Sequence, residues 1–382
     1  MERIGHIISH CWRCENVLSK SNSSLEHILL NSCGGKLKSR NLLCATCNKK
    51  LGESCDAVLA NQLNLISLLF NVKKEGGAKQ PKFKGLVDPD GIHYRLIPGK
   101  KLMPELEKPI IHIERVGQDV NFSITVRTMD EFIDKVIELK VEFPDLDIIE
   151  ILRDARETNE FVGKQMEFGT DIGGIATCKS ILKTAINYYI YSGGSREVIA
   201  HLIHFSHDEE PINCVWFHYP EKTPLSQPER SRCHNIYLKG SKQTGLLYCY
   251  VEYFDTYSFL VKLSTDYRGE DLLKSYSYDV VSNKEVPTKI NSDLSRVELE
   301  RIFFEVATPT QLRERLDVTM ELAYEIQKEA KRELDLTKIA VKYLIDVIDQ
   351  LPEHKEFANQ NLLKVIAMIK NQIREKMRQS PN

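Results

Sequence analysis

The sequence predicts an α+β protein: a small metal-clamped N-terminal segment, then a larger α+β region with an antiparallel sheet and a helical C-terminus. Three observations predict it. Two Cys-x-x-Cys pairs, Cys11 with Cys14 and Cys44 with Cys47, lie close together near the start. Five runs rich in Val, Tyr, Phe and Leu follow one another between residues 214 and 281, joined by polar links. Apolar residues at helical spacing mark the end, with Leu362, Ile366, Ile369, Ile373 and Met377 on one stripe and Leu312, Leu316, Met320 and Ala323 on another.

The cysteine pairs come first in the chain. A Cys-x-x-Cys turn lets two thiolates reach one ion from a tight loop, and two such turns complete the tetrahedral set that structural zinc prefers. Residues 15 to 43, 29 in all, separate the pairs, so the insert is expected to have its own structure. So short a segment buries little apolar surface, and metal binding supplies folding free energy that its core lacks.

Within the insert, Glu26 and His27 sit between a Ser-rich turn, Ser21 to Ser24, and the apolar run Ile28-Leu29-Leu30. Gly34-Gly35 permits a sharp turn with positive φ. Lys36, Lys38 and Arg40 follow, then Asn41, and Asn48, Lys49 and Lys50 come directly after the second cysteine pair. This combination, CxxC…EH…GG…N…CxxCN, resembles the HNH endonucleases over roughly the first 70 residues.

The resemblance implies a ββα-metal fold, with a β-hairpin presenting the Glu-His pair and a helix behind it. That helix is expected over Asp56 to Phe70, where Leu59, Leu63, Ile66 and Phe70 form one apolar face. It also implies roles. His27 is the general base that takes a proton from water, chemistry a neutral imidazole performs near pH 7. Glu26 and Asn48 hold a catalytic divalent ion, magnesium or manganese, which stabilises the departing oxygen. Asn41 holds the hairpin loop and orients the base. Where many members carry His at the last position this chain has Asn48, and an amide oxygen suits magnesium better than softer metals. Lys36, Lys38, Arg40, Lys49 and Lys50 are the expected phosphate contacts.

Charge distribution points the same way. The chain of 382 residues carries a formal net charge of −2, yet residues 1–80 hold eleven Lys and Arg against six Asp and Glu, leaving about −7 on the remainder. The basic excess therefore lies with the segment expected to meet nucleic acid. No apolar run reaches membrane-spanning length, the start lacks a secretory signal pattern, and thiolate metal ligation suits a reducing compartment, so a cytoplasmic protein is expected.

Composition divides the chain into a nuclease-like domain at 1–72, a Lys-, Gly-, Gln- and Pro-rich linker at 73–85, an α+β region at 86–308 and a helical segment at 309–382. Strands are expected at Ile110 to Val116 and Phe122 to Arg127. Helices are expected at Met129 to Glu142, Leu146 to Glu157 and Ile175 to Tyr191, the last ended by Gly193-Gly194 with Ser195 capping its successor. The five later runs, Cys214 to Tyr219, Asn235 to Lys239, Leu246 to Tyr253, Ser258 to Ser264 and Ser275 to Val281, suggest an antiparallel meander.

A second set of metal-type residues comprises His201, His204, His207, Cys214, His218, Cys233 and His234. Histidines three apart fan around a helix rather than converge, so core cysteines and surface histidines are the expected outcome. There is no Walker motif, no dinucleotide fingerprint, no Ser-His-Asp order and no internal repeat.

The sequence thus reads as a metal-dependent HNH-type endonuclease that cuts DNA, rather than RNA, to 5′-phosphate and 3′-hydroxyl ends, in the setting of a bacterial defence or mobile-element system that the resemblance implies. The C-terminal region is expected to supply target selection, oligomerisation or control, forming homo-oligomers or binding a protein partner through its helices. Two alternatives stay open: a zinc-stabilised nucleic-acid-binding module without catalysis, and an effector silent until a partner releases it.

Overall fold

The computed structural model describes residues 9–77, 80–81, 83–87, 93–96, 102–104, 110–116, 119–126, 129–155, 172–206, 212–220, 224–225, 228–290, 294–304 and 309–379. It is a mixed helical and antiparallel-sheet protein, as expected. By internal contacts the chain forms two units, one of Met1–Phe83, Leu96–Gly99 and Phe168–Tyr324, the other of Lys84–Arg95, Lys100–Glu167 and Glu325–Asn382. The regions expected at 86–308 and 309–382 each contribute to both.

The first unit contains the nuclease-like segment. Its hairpin pairs strand Glu26–His27 with Lys38–Ser39, placing His27 opposite Lys38 and Glu26 opposite Ser39. Gly35 makes the hairpin possible. A Cβ there would lie 2.1 Å from the Leu29 carbonyl oxygen, so no side chain fits between the two arms. The helix behind the hairpin starts at Ala45, well before the expected Asp56. It runs over Ala45–Leu51, a π turn at Gly52–Asp56, then Ala57–Gln62 and Asn64–Leu69. The apolar period is what starts late. The first turn is built instead on Cys44, whose sulfur accepts from the Cys47 N–H at 3.4 Å as an N-cap. Leu59, Leu63, Ile66 and Phe70 are all buried.

The same unit holds a six-stranded antiparallel sheet. From one edge its order is Lys284–Glu285, Leu272–Asp279, Cys233–Ser241, Leu246–Tyr253, Tyr257–Ser264 and Val215–Phe217. It is not the simple meander expected. Leu272–Asp279 pairs with Cys233–Ser241, because Val215–Phe217 already occupies the outer edge of Tyr257–Ser264. The tight turn between Tyr253 and Tyr257 has three residues, Phe254, Asp255 and Thr256, the first two at positive φ. Every residue of Leu246–Tyr253 is buried, as a strand covered on both faces must be. Tyr237, Tyr248, Tyr250 and Leu260 pack with Leu299 and Ile302 of helix Arg296–Phe304, and helix Ile175–Tyr191 lies on the sheet as well.

The second unit contains the hairpin Ile110–Val116 with Asp119–Thr125 and a helical core. Phe132, Ile133 and Val136 of helix Met129–Glu142 pack with Ile148, Ile149 and Leu152 of helix Ile148–Asp154. Ala340, Val341, Leu344 and Ile348 of the 42-residue helix Pro309–Gln350 join them, as do Leu362, Ile366 and Ile369 of helix Leu362–Gln379. Leu362, Ile366 and Ile369 of the C-terminal apolar stripe are therefore core there and Ile373 packs against them, while the Met377 side chain lies outside the described residues. Asp147 caps its helix by accepting from the Glu150 N–H at 3.2 Å.

Candidate metal and nuclease site

The four cysteines meet. Their sulfurs all lie within 4.8 Å of one another, with Cys11, Cys44 and Cys47 buried and Cys14 more open. Cys14 Sγ and Cys44 Sγ are 3.7 Å apart. An ion about 2.3 Å from each of four sulfurs in a tetrahedron sets neighbouring sulfurs about 3.8 Å apart, so the cluster fits zinc. Without an ion, burial pushes the Cys11 and Cys47 thiols up, and four thiolates need a dication to coexist there. Among the described residues this is the sole group of three or more His, Cys, Asp or Glu side chains placed to hold a metal.

Among the described residues the second histidine–cysteine set does not assemble. His234 is fully buried, its Nδ1 accepting from the Phe254 N–H at 3.3 Å and its Nε2 lying 2.7 Å from the Cys33 carbonyl oxygen. His201, His204 and Cys214 line a shared cavity of about 300 Å³ but form no ligand group, and His207 lies outside the described residues.

The Glu26-His27 strand sends its two side chains to different partners. His27 stays at the surface, its Nε2 2.7 Å from Glu75 Oε2, and Glu75 Oε1 accepts from Lys38 Nζ at 2.5 Å. Glu26 turns inward and is 3% exposed. Its Oε1 accepts from Lys183 Nζ at 2.5 Å and from Asn187 Nδ2 at 3.1 Å. Lys183 Nζ also lies 2.5 Å from Asp56 Oδ2, and Ser180 Oγ donates to Asp56 Oδ1 at 2.7 Å. Desolvation pushes the Glu26 carboxyl up, opposed by the Lys183 charge. Burial works against the Lys183 ammonium, but the two carboxylates outweigh it and hold its pKa up.

Ser180, Lys183 and Asn187 share one face of helix Ile175–Tyr191. The same helix face reaches the four-cysteine cluster. Trp12, between Cys11 and Cys14, donates its indole N–H to Asn187 Oδ1 at 2.8 Å, and the Trp12 carbonyl accepts from Arg196 Nε at 2.8 Å. At the far end Gln62 Nε2 donates to the Gly173 carbonyl at 3.0 Å and Gln62 Oε1 accepts from Thr177 Oγ1 at 2.5 Å. The nuclease-like segment is thus packed along this helix through polar contacts that sequence reading missed. The signal was there: Thr177, Ser180, Lys183, Thr184 and Asn187 recur at helical spacing opposite the apolar face.

Asn48, half-buried, donates through Nδ2 to Ser24 Oγ at 2.6 Å. Asn41 is exposed in the loop after the second strand, its backbone N–H donating to Ser39 Oγ at 3.1 Å. Lys36 Nζ donates to the Lys73 carbonyl at 3.2 Å. Arg40, Lys49 and Lys50 are exposed, with Lys49 3.9 Å from Glu53 one helical turn on.

A divalent ion on Glu26 and Asn48 does not fit this arrangement. The position beside Glu26 is filled by the Lys183 ammonium, the carboxylate is closed off from solvent, and the Asn48 amide is turned to Ser24. Lys183 and Glu26 neutralise each other in a buried setting, where a second cation gains little.

No helix among the described residues is long and apolar enough to cross a membrane. No curated protein and no solved structure matches the chain. Residues 11–64 match the model of the HNH endonuclease family, the stretch that carries the four-cysteine cluster, the Glu26-His27 strand and Asn48, and the N-terminal segment is accordingly an HNH domain.

Proposed function

We propose that this protein is a nuclease that hydrolyses phosphodiester bonds in DNA, with His27 as the general base. One observation carries the reading: the HNH match falls on a hairpin that keeps His27 at a partly open surface with Lys38 opposite. The imidazole takes a proton from water as the water oxygen bonds to phosphorus. The bond to the 3′ oxygen breaks, and that oxygen takes a proton from solvent, leaving 5′-phosphate and 3′-hydroxyl ends. Lys38 and the exposed Arg40, Lys49 and Lys50 supply positive charge for the phosphates. The zinc cluster fixes the hairpin against the helix. No step is assigned to a second metal.

A second reading is favoured by the Lys183–Glu26 pair: a nucleic-acid-binding module whose acidic motif residue serves the core. Zinc-loaded full-length protein incubated with supercoiled plasmid in magnesium, manganese or EDTA, beside His27→Ala, separates the two. Nicking that disappears in the variant supports the nuclease. Plasmid retardation without cleavage in every condition supports the module. If the protein acts in defence, phage plaque counts on cells expressing it fall relative to cells expressing His27→Ala.

A further inference from the structure

The stretch after the HNH match, read from composition as the start of a linker, is built into the hairpin. Asn31 Oδ1 accepts from the Glu75 N–H at 2.8 Å, and Lys36 reaches the Lys73 carbonyl. Gln80 Nε2 donates to the Ser32 and Val72 carbonyls at 2.8 and 3.2 Å. Val72 is buried beside Gly34, where a Cβ would lie 2.5 Å from Val72 Cγ1. The glycine turn therefore also seats this segment, and the seating delivers one carboxylate, Glu75, to His27.

We propose that Glu75 is the positioning residue of His27: its carboxylate accepts the Nε2–H and so leaves the lone pair on Nδ1 to take the proton from water. The geometry is specific. Glu75 Oε2 is 2.7 Å from His27 Nε2, and Lys38, directly across the hairpin, holds Oε1 at 2.5 Å. Both carboxylate oxygens are engaged, and one bond to Nε2 fixes both tautomer and ring orientation. The hydrogen bond from Lys38, then that from His27, draws the Glu75 carboxyl down to about 2, so it is an anion throughout the working range. When Nδ1 takes the proton, the imidazolium forms next to a fixed negative charge. The assignment rests on the nuclease reading.

The test has two readouts on full-length zinc-loaded protein. Nitrogen-15 histidine spectra, with His27 identified by its loss in His27→Ala, report the tautomer at fixed pH. Wild type is expected to show Nε2–H alone, Glu75→Ala a mixture, and Glu75→Gln, whose amide oxygen still accepts, the wild-type form. Plasmid cleavage is expected to lose about 10- to 100-fold in kcat with KM little changed in Glu75→Ala, with Gln in between. A wild-type Nδ1–H tautomer, a tautomer unmoved by Glu75→Ala, or faster cleavage by that variant overturns the proposal, the last by making Glu75 a block on the base. If wild type cuts nothing, the nuclease reading fails, while the spectra still decide what Glu75 does to His27.

Discussion

Lys183 and Glu26 lie 157 positions apart and meet as a buried ion pair, Nζ to Oε1 at 2.5 Å with each side chain 4% exposed. The pair joins the HNH hairpin to the helix that backs the large sheet, and Asp56 shares the same ammonium. It gives the acidic residue of the HNH motif a structural partner from outside the motif.

Removing Lys183 leaves a buried carboxylate without its counter-ion. Lys183→Met is expected to lose about 3–5 kcal/mol in urea unfolding. Adding Glu26→Gln recovers part of that, because an amide needs no counter-ion. A loss below about 0.5 kcal/mol for Lys183→Met would show that the pair is not formed.

Zinc is expected at one ion per chain by elemental analysis. Chelation should disturb Trp12, buried between two of the ligands and bonded to Asn187. With Trp216→Phe isolating its signal, Trp12 emission is expected to shift to the red on chelation and return with zinc. An unchanged spectrum after complete metal removal contradicts a structural role for the cluster.

Gly35→Ala is expected to unseat the hairpin, because the new Cβ meets the Leu29 carbonyl oxygen and the Leu29 backbone cannot move aside cheaply. Destabilisation of at least about 2 kcal/mol together with loss of plasmid cleavage is the predicted result. Gly52→Ala, with open space around its Cβ, is the matched control and is expected to be nearly neutral.

Acid should weaken the fold through His234. Burial pulls this ring down to about 4, and its neutral form is used on both nitrogens, toward Phe254 and Cys33. An unfolded histidine, near 6.5, binds a proton more readily than the folded one. The contribution is therefore complete above pH 6.5 and is lost as pH falls toward about 4. The His234 ring signal in NMR is expected to stay neutral from pH 8 to about 5 while urea stability declines below 6.5. Protonation near 6.5 in the folded protein contradicts this.

Much of the fold was legible where one period dominated. Met129–Glu142 and Ile175–Tyr191 form the helices their apolar spacing implies, and Leu246–Tyr253 the strand. The four-cysteine cluster was legible because four thiols at that spacing have few other uses. What was not legible is long-range. Nothing near Glu26 announces Lys183, and the buried polar face of helix Ile175–Tyr191 is meaningful only once a partner surface is known. Glu75 was hidden for a different reason: its Gly- and Lys-rich surroundings read as linker, while its seat depends on Gly34 and Asn31, more than forty residues earlier. The strand order escaped because local turns set only hairpins, not which free edge a later strand takes.

The most direct measurement is cleavage of a defined DNA duplex by zinc-loaded full-length protein in water enriched in oxygen-18, with mass spectrometry of the new ends. Hydrolysis with His27 as base predicts one heavy oxygen on each new 5′-phosphate, and at least about 100-fold less product from His27→Ala. A folded, zinc-loaded protein that leaves the duplex intact in magnesium, manganese and EDTA alike, or a His27→Ala variant that cuts as fast as wild type, would contradict it.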